Sequence, residues 1–286
     1  MNKKRIYSSW FLVPALVVFT VFFVVPMLLS FYFSLTVWDF DSVEFCGLDN
    51  FVMFLTEPSL RVGVVNTLIY AVLTSGTKVV LAFLIAVFLT SPIRTKTLQR
   101  SLVFFPNLVS TIAVGITFTA MMHPSKGIIN AFLEMVGVGA VDWLGNANLA
   151  LYSVIMVDVW KGLSISVVIY IAGIQSIDKT YYEAAMVDGA NAWQRLTKIT
   201  LPLCRSSVNT IIILSFISGL RCFDLIWAMT RGGPGFATDV VASVIYKQYV
   251  AGFYGLSTAG NVIIFILIAV IAFPLQRFLL SREVDV

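Results

Sequence analysis

Charge is scarce in this sequence. Of its 286 residues only 12% are Asp, Glu, Lys or Arg, against roughly 25% in a soluble domain. A soluble chain of this length could not cover its surface with ionised groups, which excludes a soluble enzyme and a disordered chain. Cysteine is scarce as well: Cys46, Cys204 and Cys222 make no disulfide framework and lack metal-ligand spacing. The single histidine, His123, precedes Pro124 at the end of an apolar segment, so no His-dependent metal cluster can form and an interfacial place fits it. No G-x-x-x-x-G-K-[ST] occurs, because Gly76-Thr77-Lys78 sits inside an apolar run without the phosphate-cradling loop. Ser110 and Ser125 have no nucleophile-elbow pattern around them, which leaves an intramembrane hydrolase without a nucleophile. Internal repeats, low-complexity tracts and linkers are missing too, so residues 1–286 read as one membrane domain.

What is present is apolar surface: 59% hydrophobic residues and a mean hydropathy of +0.92. A hydrocarbon core about 30 Å thick takes ~20 apolar residues in helix. Six segments qualify, near residues 10–35, 62–90, 102–122, 149–177, 206–230 and 257–280. Lipid offers no partner to unpaired backbone groups, and the segments lack the alternation of a barrel, so the fold is all-α. Lys3, Lys4 and Arg5 followed by an apolar run imitate a signal peptide. The run is far longer than a 7–15-residue signal core and no small-residue cleavage site follows, so it reads as an uncleaved first helix.

Orientation follows from the basic residues of the loops. Twelve of the nineteen fall on the side of the N-terminus: Lys3, Lys4, Arg5, Arg94, Lys96, Arg100, Lys179, Arg195, Lys198, Arg205, Arg277 and Arg282. Arg61, Lys126, Arg231 and Lys247 fall opposite, and Lys78, Lys161 and Arg221 lie within spans. The sequence therefore predicts both termini in the cytoplasm, with an acidic first outer loop (Asp39, Asp41, Glu44, Asp49, Glu57).

The longest cytoplasmic loop, Asp178–Arg205, contains two short helix signals. Asp178 or Thr180 can cap the first, with Thr180-x-x-Glu183 as a capping box. Tyr182, Ala185 and Met186 share one face, and Gly189 suits a left-handed stop. A second helix can begin at Asn191 and end before Pro202. The residues alone leave two readings open: a plug for a partner's groove, or a helix lying on the inner leaflet.

Glu183-Ala184-Ala185, then Gly189, then Ile199-x-Leu201-Pro202 resembles the EAA loop of ABC-importer membrane subunits. Gly47-Leu48-Asp49-Asn50-Phe51 with Asn66-Thr67, Phe105-Pro106, and Thr230-Arg231-Gly232-Gly233-Pro234 with Ala237-Thr238 are similar to its carbohydrate-uptake branch. The Gly-Gly-Pro element is more typical of the first of two paired permeases. The resemblance covers essentially the whole chain. It implies a type I importer permease of a bacterial or archaeal cytoplasmic membrane, paired with a second homologous permease. Two ATP-binding subunits and an extracytoplasmic solute-binding protein would complete the assembly, with no nucleic-acid partner. ATP and Mg would belong to the ATPase, and no cofactor to this chain. Coupling to that ATPase would fall to Glu183, Ala184, Ala185, Asp188, Gly189, Leu201 and Pro202. Gly-Gly-Pro alone can be an ordinary turn; the resemblance adds a surface near the docked binding protein.

Ionisable groups at membrane depth cost at least ~2.5–3.5 kcal/mol each. Asp158 with Lys161, and Arg221 with Asp224, stand three apart and can partly neutralise each other along one helix face. Either these are packed local ion pairs or they line a cavity for a hydroxyl-rich or charged solute. Lys78, Asp158 and Lys161 fall near the midplane and Arg221 and Asp224 in the outer half, so position makes the first three the better cavity candidates. The resemblance implies solute contacts around Asp158-Val159-Trp160-Lys161-Gly162 and in the span before Gly-Gly-Pro. That carries a pathway role onto Asp158, Lys161, Gly162, Ile165, Ser215, Ser218, Gly219 and Cys222. Lys161 and Gly219 depart from the amide- and aromatic-rich pattern of maltose-type sites, and a cationic Lys161 would favour an acidic or phosphorylated sugar. The competing reading is a self-sufficient secondary transporter or channel that uses the intramembrane charges as a relay. Such a protein has no need for a projecting Glu183-Ala184-Ala185 helix.

Overall fold

A computed structural model describes residues 9–39, 41–91 and 95–281. Lys3, Lys4, Arg5, Arg94 and Arg282, all counted toward the N-terminal side, lie outside the described residues. The first helix, α1 (Trp10–Phe33), is uncharged and its most apolar window has no buried residue. Its outward face is therefore left to lipid. A wide π turn at Thr20–Val24 precedes Pro26, with the Val25 N–H donating back to the Thr20 carbonyl. Proline lacks an N–H and its ring collides with the carbonyl four residues back; the widened turn removes that collision without ending the helix.

A small hairpin follows. Strand β1 (Thr36–Trp38) pairs antiparallel with β2 (Val43–Phe45), Thr36 opposite Phe45. From helix α2 (Asp49–Thr56) the buried Asn50 amide donates to the carbonyls of Ser34 and Thr36, at 3.0 and 2.9 Å. The Gly47–Phe51 motif thus ties the hairpin to the end of α1. This hairpin lies in the acidic loop, where hydropathy gave no sign of it.

Helix α3 (Pro58–Thr90) is the centre of the molecule, packed between α7 (Ala150–Gln175) and α10 (Arg205–Leu220). Its buried face is polar and small: Gly63, Asn66, Thr67, Tyr70, Ala71, Thr74, Ser75, Lys78, Ala82 and Ala86 recur at helical period. Its apolar residues, such as Val72, Val80, Leu84 and Phe88, face outward. Inside the protein, small residues let helices approach closely and hydroxyls bond across the contact. Ala82 and Ala86 are fully buried against Val167, Tyr170 and Ile211, and their four-residue spacing puts both on the face that meets those side chains.

Two predicted spans are not continuous. Residues 102–122 fold as α4 (Lys96–Leu108) and α5 (Thr111–Met121), bent by 98°. Pro106 removes a backbone donor inside α4, and Val109 and Ser110 take extended conformations, so the chain turns there. Residues 206–230 fold as α10 and α11 (Asp224–Met229) with a break at 221–223. The Arg221 N–H bonds the carbonyls of Ile217 and Ser218, and the helix tightens and stops beside Gly219. The shorter helices are α6 (Ile128–Met135), α8 (Lys179–Val187), α9 (Ala192–Leu203) and α12 (Val241–Val250). The chain closes on α13 (Tyr254–Leu280). Helices α1, α3, α7 and α13 are each long and apolar enough to cross a membrane; the bent pairs α4–α5 and α9–α10 bring the number to six if each counts as one span.

Candidate functional site

Three polar constellations stand out on this frame. The first is the loop between α7 and α10. Asp178 is the N-cap of α8: its Oδ1 accepts the Thr180 N–H at 2.9 Å. That bond holds its carboxyl below the ordinary carboxylate value. Thr180 therefore does not open the helix, and the Thr180–Glu183 box is not formed. The helix ends in a full Schellman motif. The Ala190 N–H reaches the Ala185 carbonyl at 2.8 Å, the Gly189 N–H reaches Met186 at 3.1 Å, and Gly189 sits at φ +77°. Glu183, Ala184, Asp188 and Gly189 are exposed, as is Val187 at 88%. Tyr182 and Ala185 are half-buried while Met186 is exposed, so the predicted common face divides. The Tyr182 hydroxyl lies 3.0 Å from Thr200 Oγ1 and joins α8 to α9.

Asn191 and Gln194 form the capping box that starts α9, with both bonds at 2.8 Å. Contrary to expectation, α9 does not stop before Pro202. A π turn at Leu196–Thr200 carries the helix through Pro202 to Leu203, with Leu201 and Pro202 exposed. It is the device already seen before Pro26.

The second constellation is at membrane depth. Lys78 Nζ of α3 donates to Asp158 Oδ2 of α7 at 2.6 Å, with the two side chains 6% and 23% exposed. Asp158 therefore does not pair with Lys161, and Arg221 and Asp224 form no ion pair among the described residues. A charge on a neighbouring helix competes better than one on the same helix, because it approaches head-on and closes a helix–helix contact. Gly162 makes room for the lysine: a Cβ there would meet Lys78 Cε and Nζ at 2.6 and 2.7 Å. The Tyr70 hydroxyl is buried without a hydrogen bond among the described residues, and Asp158 and Cys222 are its ionisable neighbours.

Of the predicted pathway residues, Asp158, Gly162 and Cys222 gather around Lys78 and Tyr70. Ser215 and Gly219 are packed into the α3–α10 contact. Ser215 Oγ lies 2.8 Å from Ser75 Oγ, and Gly219 abuts Ala71 and Thr74. Lys161 is half-buried, whereas Ile165 and Ser218 are exposed on the subunit's outer faces. Sequence position alone marks Lys78, near the midplane, as a cavity candidate, but leaves Tyr70 and Ser75 out of this group. The polar stripe within α3 was the signal that could have found them.

The third constellation joins motifs far apart in sequence. Asn66 Nδ2 donates to the carbonyls of Ala237 and Asp239, at 3.0 and 2.9 Å. The Val241 N–H donates to Thr67 Oγ1 at 2.9 Å. Thr238 Oγ1 bonds the Gly233 carbonyl and lies 2.7 Å from Thr230 Oγ1. The Gly232-Gly233-Pro234 loop is thus clasped onto Asn66-Thr67 of α3. Inside the clasp, the buried Asp239 accepts from Lys247 Nζ and Ser243 Oγ, each at 2.7 Å. Burial raises the Asp239 carboxyl above its ordinary value, opposed by those two donors. Asn66→Ala strands two part-buried carbonyls, so a loss of about 1–3 kcal/mol is expected, read as a lowered midpoint in thermal unfolding of the detergent-solubilised chain.

Known proteins resemble this chain over most of its length. Residues 63–284 match the family described as binding-protein-dependent transport system inner membrane component. The trehalose/maltose transport system permease protein MalF of Thermococcus litoralis is 31% identical over 259 residues, covering 90% of this chain and 88% of that protein. The multiple sugar-binding transport system permease protein MsmF of Streptococcus mutans is 30% identical, covering 100% and 98%. A crystal structure of a bacterial ABC transporter involved in the import of the acidic polysaccharide alginate contains a chain of the same fold. The TM-score is 0.80 at 24% identity, covering 96% of this chain and 93% of that one. A helical chain with several membrane-length spans, an exposed glycine-stopped helix between two of them, and a family match over residues 63–284 belongs to the inner membrane permease components of binding-protein-dependent ABC transport systems.

Proposed function

We propose that this chain forms half of the translocation pathway for a sugar, beside a second homologous permease, in a bacterial or archaeal cytoplasmic membrane. Two ATP-binding subunits supply the energy and hold ATP and Mg, and an extracytoplasmic binding protein delivers the solute. Both termini and α8 face the cytoplasm, in keeping with the basic residues of those segments. The observation that carries the coupling role is α8 itself. A nine-residue helix outside the spans presents Glu183, Ala184, Met186 and Val187 to solvent and ends in a rigid glycine turn. Exposed apolar side chains on such a helix fit a partner's groove. Glu183 and Ala184 would make contacts in the ATPase cleft, Gly189 would fix the turn, and Leu201 and Pro202 would carry motion through α9 to α10. Asp158, Gly162 and Cys222 would lie toward the solute path, with Lys161, Ile165 and Ser218 on faces left for the second permease or the solute. The named sugar importers among the relatives support a carbohydrate solute.

The relay reading loses ground because its charges do not form a chain: Lys78 is neutralised by Asp158, while Arg221 and Asp224 are exposed at the helix break. The test is uptake into proteoliposomes holding the assembled transporter, with binding protein and ATP present, across trehalose, maltose, lactose and alginate oligosaccharides. Sugar accumulation that needs both ATP and binding protein is expected. Accumulation driven by an ion gradient without ATP would overturn the proposal.

A further inference from the structure

On the side of the molecule that carries α8, two neighbouring cavities collect positive charge that none of the functions above uses. The larger, about 1070 Å³, lies between the ends of α3 and α7 and the helices α8 and α9. Lys96, Lys179 and Arg195 line it beside Trp193, with Val87 and Ile174 among its apolar residues and no carboxylate among the described residues of its wall. The smaller, about 330 Å³, lies one helical turn along α4 and is lined by Arg100 together with Phe104, Val167, Val168 and Ile171. Arg100 Nε and Nη2 are buried there without an acceptor among the described residues. Neither Lys96, Arg100, Lys179 nor Arg195 joins a salt bridge among the described residues. A guanidinium with buried, unanswered donors is costly and calls for an anionic oxygen.

Helix α4 has the form of an interfacial element. It runs nearly perpendicular to α5 and exposes Leu98, Leu102 and Phe105 along one stripe, while Lys96 and Arg100 turn toward the cavities. Cations above an apolar slot, at the end of membrane-length helices, match a phosphate headgroup joined to acyl chains. Basic pockets between membrane helices bind acidic phospholipids by the same complementarity. We propose that these cavities bind one anionic phospholipid, its phosphate among Arg100, Lys96 and Arg195 and an acyl chain along Phe104, Val167, Val168 and Ile171. The site is independent of the transported solute.

Native mass spectrometry of the assembled transporter, released from nanodiscs of phosphatidylglycerol and phosphatidylcholine, tests this. Retention of one phosphatidylglycerol in preference to phosphatidylcholine is expected. Arg100→Gln and Lys96→Gln should each weaken it about fivefold, whereas Lys126→Gln, on the other side of the molecule, should leave it unchanged. Arg100→Lys keeps the charge and is expected to restore most of the retention, which separates binding from a folding defect. Equal retention of both lipids, or indifference to the Arg100 and Lys96 substitutions, would overturn the proposal. So would displacement of the lipid by millimolar inorganic phosphate, which would assign the cavity to a free phosphate. Retention by the isolated chain but not by the assembled transporter would mean that a partner subunit covers it, and would overturn it equally.

Discussion

Gly189→Val is expected to uncouple ATP hydrolysis from solute uptake in the assembled transporter, cutting uptake at least about tenfold while the chain still folds and inserts. The argument rests on conformation alone. Gly189 has φ +77° and no atom within 4 Å of where a Cβ would stand, so a side chain meets no obstacle. What it meets is the left-handed region, which costs a β-branched residue about 1–3 kcal/mol. That penalty falls on the turn that lets Ala190 and Gly189 bond back to Ala185 and Met186. Relieving it unwinds the end of α8 and displaces Asp188 and Val187. Because strain is the cause, the effect should be graded: Gly189→Asn mild, Gly189→Ala intermediate, Gly189→Val severe. ATPase activity and uptake measured together in proteoliposomes check this. A flat series, or full coupling in Gly189→Val, would remove α8 from the coupling role.

Lys78→Met should be the most destabilising single change in the membrane region, by about 3–5 kcal/mol. The substitution keeps the side chain's bulk over Gly162 and removes its charge. Asp158 then keeps a carboxylate with its partner gone, 23% exposed within a helix contact. Changing Asp158 to leucine in the same chain should recover most of the loss, because a buried pair replaced on both sides by apolar groups is often close to neutral. Thermal unfolding of the four chains of this double-mutant cycle in detergent measures the coupling. If Lys78→Met and the double variant unfold at the same temperature, the pair does not join α3 to α7. Uptake separates a second role: a stable double variant that no longer transports would place the charges in the solute path.

Much of this could be read before any coordinates. Hydropathy locates membrane-length helices because lipid demands them, and Gly189 and Asn191 declare a stop and a cap through local rules. What stayed hidden depended on partners distant in sequence. The Lys78–Asp158 pair spans 80 residues, and a rule of i, i+3 spacing pointed instead to Lys161. The clasp of Asn66 and Thr67 on residues 237–241 was present only as two separate motifs. The breaks at 109–110 and 221–223 were masked because a hydropathy window averages across Pro106 and Gly219. The polar stripe of α3 was legible in its spacing, yet it vanished inside an apolar average.

That stripe has a consequence for how the protein comes off the ribosome. Thr67 and Thr74 satisfy their hydroxyls on their own helix, at the carbonyls of Gly63 and Tyr70, so they can enter lipid unaccompanied. Asn66 and Lys78 have no such refuge. Lys78 waits for a carboxylate 80 residues downstream and Asn66 for carbonyls 171 and 173 residues downstream. At synthesis rates of about 5–20 residues per second, the first wait lasts on the order of 4–16 s, and the second about twice as long. Through that interval the helix destined for the centre of the subunit is the one least suited to bare lipid. It must linger at the insertion machinery, or beside another polar helix, until its partners are made.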